Sequence, residues 1–297
     1  MPKSAVGEIM RVRSCAALFA LVVLAGCSHG GTRLPPVTPA PTGEYHAGKF
    51  VWYDLLTEDV AAAKRFYGEL FGWEFRDGFG EKGNYTLVSH EGRAIGGMVY
   101  VEPLETGVSR SRWVPVLSVE DVKAAAEIIS RRGGRIFFGP ETVGDRGVIA
   151  VVADPQGAVL ALQRSVGGDP PDRQAADAEF LWTELWSRDL AGALAFYQSL
   201  VGYEHETTDV LSGNVYHLLV SEARPRAGIL EVSTPDSLAH WIPYVRVSDV
   251  RRLADRVESL GGKLLIAPSE EIRGGSAALI ADPTGAALAI QRWPLEE

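Results

Sequence analysis

Two stretches of this chain carry nearly the same sequence. The segment Asp154–Arg164 (DPQGAVLALQR) returns 128 residues later as Asp282–Arg292 (DPTGAALAIQR). Shorter repeats at nearly the same offset are Trp113–Pro115 with Trp241–Pro243, Gly133–Gly134 with Gly261–Gly262, and Phe50–Tyr67 with Phe180–Tyr197. One fold unit has therefore been duplicated, and a role assigned to a residue in one half can be compared with its counterpart in the other.

The beginning of the chain has the pattern of an export signal. Arg11 and Arg13 precede an apolar run over residues 16–24, and the sequence Leu-Ala-Gly-Cys ends at Cys27. The run is too short for a membrane-spanning helix, which needs about 20 apolar residues. The pattern resembles a bacterial lipoprotein signal, which implies removal of residues 1–26, a lipid on Cys27, and anchoring in the cell envelope, on the periplasmic face of the outer membrane. An ordinary secretory signal with an unrelated cysteine is the alternative.

Cysteine content and charge exclude several classes of function. The only cysteines are Cys15, inside the signal, and Cys27, so the mature chain has no cysteine for a disulfide, a thiol nucleophile or a metal site. The net charge is −9, and without residues 1–26 it becomes −11, from 26 basic and 37 acidic residues. An acidic chain without a basic stripe predicts no nucleic-acid partner, and a membrane contact made by the lipid alone.

Composition also divides the chain into segments. Residues 27–47 are rich in Pro, Gly and Thr, which predicts a semi-extended tether without a core of its own. A second Gly/Pro-rich stretch, residues 167–177, predicts a linker. The two globular domains are then residues 48–166 and 178–297.

Each domain alternates strand-like runs with helical patterns. Asp59 is a predicted helix cap, apolar residues follow it at helical spacing, and Gly72 is a predicted stop. Three strand-like runs come next, and the following stretch repeats this order. The chain is therefore predicted to be α+β, with four βαβββ units paired two and two. Pairing within the chain and pairing across a homodimer both remain open.

Three short motifs recur in each half. In the first half they are residues 59–73, residues 119–134 and the turn at residues 154–157. Their order and spacing resemble the vicinal oxygen chelate superfamily, which includes glyoxalase I, extradiol dioxygenases and bleomycin-resistance proteins. The resemblance covers residues 48–294 and implies two domains, each with a curved, eight-stranded mixed sheet whose concave face forms a cavity. In the metal-dependent members, His, Glu or Gln side chains on that face bind a divalent ion.

The positions of those metal ligands hold other residues in this chain. By the resemblance, ligands fall seven residues before each helix-capping Asp and four residues after each turn glycine. The residues found there are Trp52, Val114, Ala161, Trp182, Ile242 and Ala289. None of these side chains binds a metal. We therefore predict no metal and no other cofactor at the usual site of the family, and a divalent metal remains open only at a different site.

Strand alternation places another set of residues on the predicted concave faces. These are Phe50, Trp52, Asp54 and Gln163 in the first domain, and Phe180, Trp182, Glu184, Trp186, Tyr244, Arg246 and Gln291 in the second. An aromatic-rich cavity with a few polar groups is typical of a small-molecule site. A filled core is the alternative for the Trp residues. For the two acids the alternatives are exposure at a strand end and, for Glu184, an ion pair with Arg246.

One histidine enters a second hypothesis. His217 lies in a strand-like run beside Tyr216, and with Glu184 and Arg246 it forms a candidate catalytic set, an acid/base pair or an unorthodox metal site in the second domain only.

Glycines in and between the strands give weaker signals. Gly97 and Gly228 occupy the fourth strand of their units, where a small residue permits a bend. The glycine-rich loops at Arg146 and Arg273 precede strands rather than helices, which argues against a phosphate loop.

Three functions are consistent with this sequence. The leading hypothesis is an envelope lipoprotein that binds a small, partly aromatic molecule in one or both Trp-lined cavities. The second is a lyase, isomerase or dioxygenase-like enzyme with a relocated site in the second domain, which predicts asymmetry between the halves. The third is an envelope scaffold whose cavities are filled by their own side chains, which predicts no open pocket.

Overall fold

A computed structural model describes residues 34–80, 83–210, 214–232 and 239–294. The signal pattern and the predicted lipid site at Cys27 lie outside these residues. No helix in the described part of the chain combines the length and the apolar composition needed to cross a membrane.

The elements follow the order predicted from the repeats. In the first half they are β1 (Phe50–Thr57), α1 (Val60–Phe71), β2 (Glu74–Phe79), β3 (Tyr85–His90), β4 (Arg93–Tyr100), β5 (Arg112–Ser118), α2 (Val122–Arg131), β6 (Arg135–Val143), β7 (Gly147–Ala153) and β8 (Val159–Ser165). In the second half they are β9 (Phe180–Ser187), α3 (Leu190–Val201), β10 (Glu204–Val210), β11 (Asn214–Ser221), β12 (Arg224–Glu231), β13 (His240–Arg246), α4 (Val250–Val257), β14 (Lys263–Ile266), β15 (Ala277–Ala281) and β16 (Ala287–Gln291).

The strands form two mixed sheets of eight. Their orders are β2-β3-β4-β1-β5-β8-β7-β6 and β10-β11-β12-β9-β13-β16-β15-β14. In each sheet the first strands of two units run antiparallel at the centre, so that Asp54 lies opposite Val114 and Glu184 opposite Ile242. The predicted α+β fold of four βαβββ units is confirmed, and each sheet is built from two consecutive units of this one chain.

The helices begin and end where the sequence predicts. The Asp59 carboxylate accepts from Ala62 N and caps α1, and Asp189 does the same for α3 through Gly192 N. Gly72 ends α1 with a φ of 73°, a left-handed conformation that glycine adopts without strain.

The helices pack between the two domains. Phe66 and Leu70 of α1 share one buried cluster with Val250 and Val257 of α4, as well as with strands of the second sheet. Helices α2 and α3 share the other cluster, which also contains buried residues of both sheets. The helix-bearing face of each sheet is therefore buried in the interface, which leaves the opposite, concave face of each sheet outside it.

Buried polar side chains fix the contact between the domains. Trp241 Nε1 donates to the hydroxyl of Tyr197 at 2.9 Å, and this hydroxyl donates to Asp154 Oδ2 of the first domain at 3.1 Å. The equivalent residues of the first domain form the same Trp–Tyr hydrogen bond, in which Trp113 Nε1 donates to Tyr67 OH at 2.9 Å. The bond from Tyr197 to Asp154 thus crosses the interface, whereas the two Trp–Tyr bonds lie within their own domains.

We predict that Tyr197→Phe lowers the free energy of unfolding by about 1–3 kcal/mol, because it leaves Trp241 Nε1 and Asp154 Oδ2 buried without their partner. Urea denaturation followed by circular dichroism measures the change. Tyr100→Phe removes a hydroxyl from a half-exposed side chain and serves as the control. Equal stability of the two variants would contradict the structural role given to Tyr197.

Candidate functional site

Each concave face carries the same set of five polar or aromatic side chains. In the first domain they are Trp52, Asp54, Tyr85, Arg146 and Gln163, and in the second domain Trp182, Glu184, Tyr216, Arg273 and Gln291. The acid and the Trp come from β1 or β9, and the Tyr from β3 or β11, one strand further out than the neighbour of β1 or β9. The Arg precedes β7 or β15, and the Gln lies on β8 or β16. Repetition of the set makes the two concave faces directly comparable.

The first-domain site is organised around Asp54. Its Oδ1 accepts from Trp52 Nε1 at 3.0 Å and from Tyr85 OH at 2.7 Å. Arg146 donates to the Tyr85 hydroxyl at 3.2 Å, and its guanidinium lies 4.2 Å from the centre of the Trp52 ring, a cation–π contact. The arginine is 2% exposed, so its charge is held against the carboxylate and the rings with almost no water.

Burial dominates the ionisation of this site. Desolvation raises the pKa of Asp54 above its usual value, and it outweighs the opposing effects of Arg146, Tyr85 and Trp52. Burial also raises the pKa of Tyr85, and the nearby Asp54 charge adds to that rise. The tyrosine hydroxyl is therefore a proton donor at neutral pH.

Glycine in the fourth strand of the unit makes room for the tyrosine. A Cβ on Gly97 would lie 1.9 Å from Tyr85 OH and 2.7 Å from Asp54 Oδ1. A Cβ on Gly228 would lie 1.8 Å from Tyr216 OH in the second domain. These glycines hold open the space of a hydroxyl, a role that differs from the predicted bend.

In the second-domain site, both oxygens of the Glu184 carboxylate accept two hydrogen bonds each. Glu184 Oε1 accepts from Trp186 Nε1 at 2.8 Å and from Tyr244 OH at 2.7 Å, whereas Oε2 accepts from Tyr216 OH at 2.5 Å and from Arg273. The carboxylate is 1% exposed. Desolvation lowers the pKa of Arg273, but the surrounding Tyr244, Glu184 and Tyr216 outweigh it, so that this pKa is raised.

Arg273 also satisfies the glutamine of its own site. It donates to Gln291 Oε1 at 2.8 Å, whereas the corresponding Gln163 Oε1 in the first domain is buried without a partner among the described residues. The Gln163 amide nitrogen donates to Ser165 Oγ at 2.9 Å. The first site therefore holds an unused acceptor that the second site has filled.

A cavity of about 60 Å³ is lined by Asp54, Arg146 and Gln163. Apolar side chains, among them Val114, Val116, Ile149, Val151 and Ala161, complete its wall. Asp54 is half-buried, in contrast to the fully buried Glu184. The duplicated set has thus become two different sites, one with an unpartnered acceptor beside a cavity and one whose acid and glutamine both accept from an arginine.

The predicted tether covers the first site. Leu34 and Val37 are 7% and 6% exposed and belong to the same apolar cluster as Trp52. The Leu34 side chain lines the cavity, and the Pro35 carbonyl accepts from Arg146 Nε at 2.8 Å. Residues 34–37 are therefore docked on the first domain rather than extended away from it.

The proposed catalytic set in the second domain is not assembled. His217 Nδ1 lies 2.9 Å from His205 Nε2, on the opposite side of the strand from Tyr216, which reaches Glu184. Arg246 donates to the Ala175 carbonyl of the linker, because it lies at the end of β13 where the linker covers it. The Glu184–Arg246 ion pair, one of the alternatives for this acid, is not formed, and Arg273 is the cation at Glu184.

Phe50 and Phe180 also lie elsewhere than predicted. A register shift between Phe50 and Trp52, with its counterpart in β9, turns both phenylalanines away from the concave faces. Phe180 stacks on Tyr53 at 3.9 Å between ring centres, and Phe50 packs on Trp241 at 5.0 Å. Both rings belong to the interface between the domains.

The metal site of the resembled superfamily does not fit these residues. The buried side chains at the expected ligand positions include Trp52, Val114 and Ala161 in one domain and Ile242 and Ala289 in the other. No group of three His, Cys, Asp or Glu side chains suited to a metal ion occurs within residues 34–80, 83–210, 214–232 and 239–294. An arginine side chain also lies next to each site carboxylate, where its positive charge opposes binding of a second cation.

Sequence comparison gives a consistent family. A model described as the Glyoxalase/Bleomycin resistance protein/Dioxygenase superfamily matches residues 49–162 and again residues 179–290. "Putative glyoxylase CFP32" of Mycobacterium tuberculosis is 29% identical over 83% of this chain and 95% of that protein. "Anthracycline biosynthesis protein DnrV" of Streptomyces peucetius is 27% identical over 87% of this chain and 94% of that protein.

Solved structures share the fold at low identity. The Mn(II)-bound glyoxalase from Novosphingobium aromaticivorans matches with a TM-score of 0.56 and 17% identity, over 83% of this chain and 82% of that one. Homoprotocatechuate 2,3-dioxygenase from Brevibacterium fuscum, in complex with 3,4-dihydroxyphenylacetate, matches with a TM-score of 0.57 and 12% identity, over 86% and 84%. These similarities support the fold alone.

We predict that Gly97→Ala destabilises the first-domain site, because the added carbon overlaps the Tyr85 hydroxyl and forces it away from Asp54. The expected loss in free energy of unfolding is about 1–3 kcal/mol, with a changed near-ultraviolet circular dichroism spectrum. Gly167→Ala is the control, since its new carbon meets nothing closer than 3.4 Å. Unchanged stability and spectrum in Gly97→Ala would show that this space is not needed.

Proposed function

The chain belongs to the Glyoxalase/Bleomycin resistance protein/Dioxygenase superfamily, and on that premise we propose that its first domain binds a small, partly aromatic molecule on the concave face. The ligand donates hydrogen bonds to Asp54 and Gln163 and places its apolar part against the cavity wall. The second domain has the complementary role of a closed, structural copy.

The observation that carries this proposal is the unpartnered Gln163 Oε1 beside a half-buried carboxylate. A buried acceptor without a partner loses the hydrogen bond it would make in water, at a cost of about 1–3 kcal/mol. A ligand that donates to it recovers that free energy. The apolar lining supplies the rest, as in most small-molecule sites.

The volume of the cavity limits the size of the ligand that it can hold. An engineered apolar cavity of about 150 Å³ admits benzene, whereas this one measures about 60 Å³. A ligand with an aromatic ring therefore requires Leu34, which lines the cavity, to give way.

Proton transfer by Asp54 is a second candidate function. Burial raises the pKa of this carboxyl toward the range in which a general acid or base works at neutral pH, and it lies at the cavity. A lyase or isomerase reaction on the bound molecule would use it. The proposed catalytic group is therefore Asp54 of the first domain and not Glu184, because both oxygens of Glu184 already accept hydrogen bonds.

The scaffold hypothesis describes the second domain well. Glu184, Tyr244 and Gln291 are at most 5% exposed, and together with Arg273 they fill the concave face with their own hydrogen bonds. We assign this domain to stabilising the first through the shared helical interface.

We further propose that the protein is an envelope lipoprotein, anchored through Cys27 on the periplasmic face of the outer membrane. Leu34 follows Cys27 by seven positions, and seven residues span at most about 25 Å. Lipidation would therefore hold the covered face of the first domain close to the membrane surface.

We predict that Asp54→Asn weakens binding of phenol by about tenfold or more, because phenol donates one hydrogen bond and the charged acceptor is lost. Isothermal titration calorimetry on the purified protein measures the dissociation constant. The matched control is Glu184→Gln at the equivalent position of the second domain, which is expected to bind phenol as the wild type does.

Two results would contradict the proposed site. Equal weakening in both variants, with both folded by circular dichroism, would mean that phenol binding does not depend on the first site. Unchanged binding in Asp54→Asn would remove the carboxylate from the site.

We predict that Cys27→Ser releases the protein from the membrane fraction of its host, because the thiol that accepts the lipid is gone. Cell fractionation with detergent phase partitioning measures the shift. Cys15→Ser, which changes a residue inside the signal, is the control and is expected to stay membrane-bound. A soluble wild-type protein would favour an ordinary secretory signal.

A further inference from the structure

The strongest unexplained feature is the docking of residues 34–37 over the first-domain site. Leu34 and Val37 are buried in a chain segment that has neither a helix nor a strand. Its sequence, Leu-Pro-Pro-Val, contains two prolines, which keep the backbone extended and lower the entropy lost on docking. The segment contacts the same residues that define the candidate site.

We infer that residues 34–37 occupy the place of the ligand, and that the ligand is a small carbonyl or carboxylate compound with a branched apolar group near its carbonyl. This inference rests on the proposed binding function and extends it to the chemistry of the ligand. The Leu34 side chain occupies the position of the ligand's apolar group, and the Pro35 carbonyl occupies the position of the ligand's acceptor oxygen.

The first argument is the direction of the Arg146 side chain. In the second domain the equivalent Arg273 donates to the site acid and to Gln291. In the first domain Arg146 Nε donates instead to the Pro35 carbonyl, and Gln163 Oε1 is left without a partner. The docked carbonyl therefore binds Arg146 through Nε, whereas the other copy binds its glutamine through Arg273 Nη1.

The second argument is the match in shape. The Leu34 side chain lines the 60 Å³ cavity together with Asp54, Arg146 and Gln163. Withdrawal of a leucine side chain frees further volume next to that cavity, enough for an apolar group of the same size. A ligand that carries such a group and an acceptor oxygen reproduces both contacts of the segment, and it can add a donor for Gln163.

The third argument is access. Residues 35–39 also line a cleft of about 1100 Å³ between the two domains. Three of the cations that line that cleft are already paired, Lys49 and Arg226 with Asp172, and Arg93 with Glu179. The cleft therefore gives the displaced segment room beside the first domain.

The test uses two probes that copy the segment. N-acetyl-L-leucyl-L-prolinamide carries the branched group and the carbonyl, and N-acetyl-L-alanyl-L-prolinamide lacks only the branched group. Isothermal titration calorimetry measures each against the wild type, the Leu34→Ala/Val37→Ala variant and the control Pro39→Ala, which alters an exposed residue of the same segment.

The Leu34→Ala/Val37→Ala variant is expected to bind the leucyl probe at least tenfold more tightly than the wild type and Pro39→Ala do. It is also expected to bind the alanyl probe at least tenfold more weakly than the leucyl probe. Arg146→Lys in the same background keeps the charge and removes the Nε donor, and a further loss of about tenfold is expected. If the double variant does not fold, Leu34→Ala alone carries the same comparison.

Equal affinity of the wild type and the opened variant for the leucyl probe would overturn the inference, as would equal affinity for both probes or no binding of either. The phenol titration separates these failures from a failure of the proposed function. Phenol binding that depends on Asp54 and not on Glu184 would retain the site while the ligand class is rejected, whereas phenol binding independent of Asp54 would reject both.

Discussion

Burial of the helical layer between the two domains is the constraint on which the rest of the structure depends. The helix-bearing face of each sheet is apolar, and each domain covers it with helices and strands of the other. The buried hydrogen bonds from Trp241 through Tyr197 to Asp154 add direction to this contact, because each polar atom has a defined partner. The concave faces lie outside this layer and carry the two repeated polar sets.

Three substitutions distinguish the acid and its surroundings on the two concave faces: Glu184, Trp186 and Tyr244 lie where the first domain has Asp54, Leu56 and Val116. Glu184 reaches four donors and is buried completely, since a buried carboxylate is tolerated only when its oxygens are satisfied. The shorter Asp54 receives hydrogen bonds from Trp52 and Tyr85 and stays half-buried beside the cavity. These side-chain differences account for the different hydrogen bonding of the two acids without any change of fold.

The repeats and periodicity were enough to predict the fold, the helix caps and the inward positions of the Trp–acid pairs. They did not predict which face of the sheet carries Phe50 and Phe180. A register shift in each strand reverses the alternation of side chains that the prediction assumed. The predicted positions of His217 and Arg246 at the site were also wrong. Strand alternation places His217 on the side of the strand opposite Tyr216, and the linker binds Arg246 at the end of its strand. A usable signal was missed: Tyr85 and Gly97 recur together as Tyr216 and Gly228, 131 residues later. Loop arginines are harder to place, since loop conformation decides where they reach.

The arginines also explain how this fold tolerates the loss of the expected metal ligands. An acidic group on a concave apolar face needs a nearby positive charge. A guanidinium supplies that charge, and unlike a metal ion it needs no set of ligand side chains. Arg273 fills that role completely by binding both Glu184 and Gln291. Arg146 fills it in part, because one of its donors is turned to the Pro35 carbonyl. A cation that is fixed by the chain but not fully used can recognise an acceptor oxygen of a ligand, and recognition of that kind requires no metal at the site.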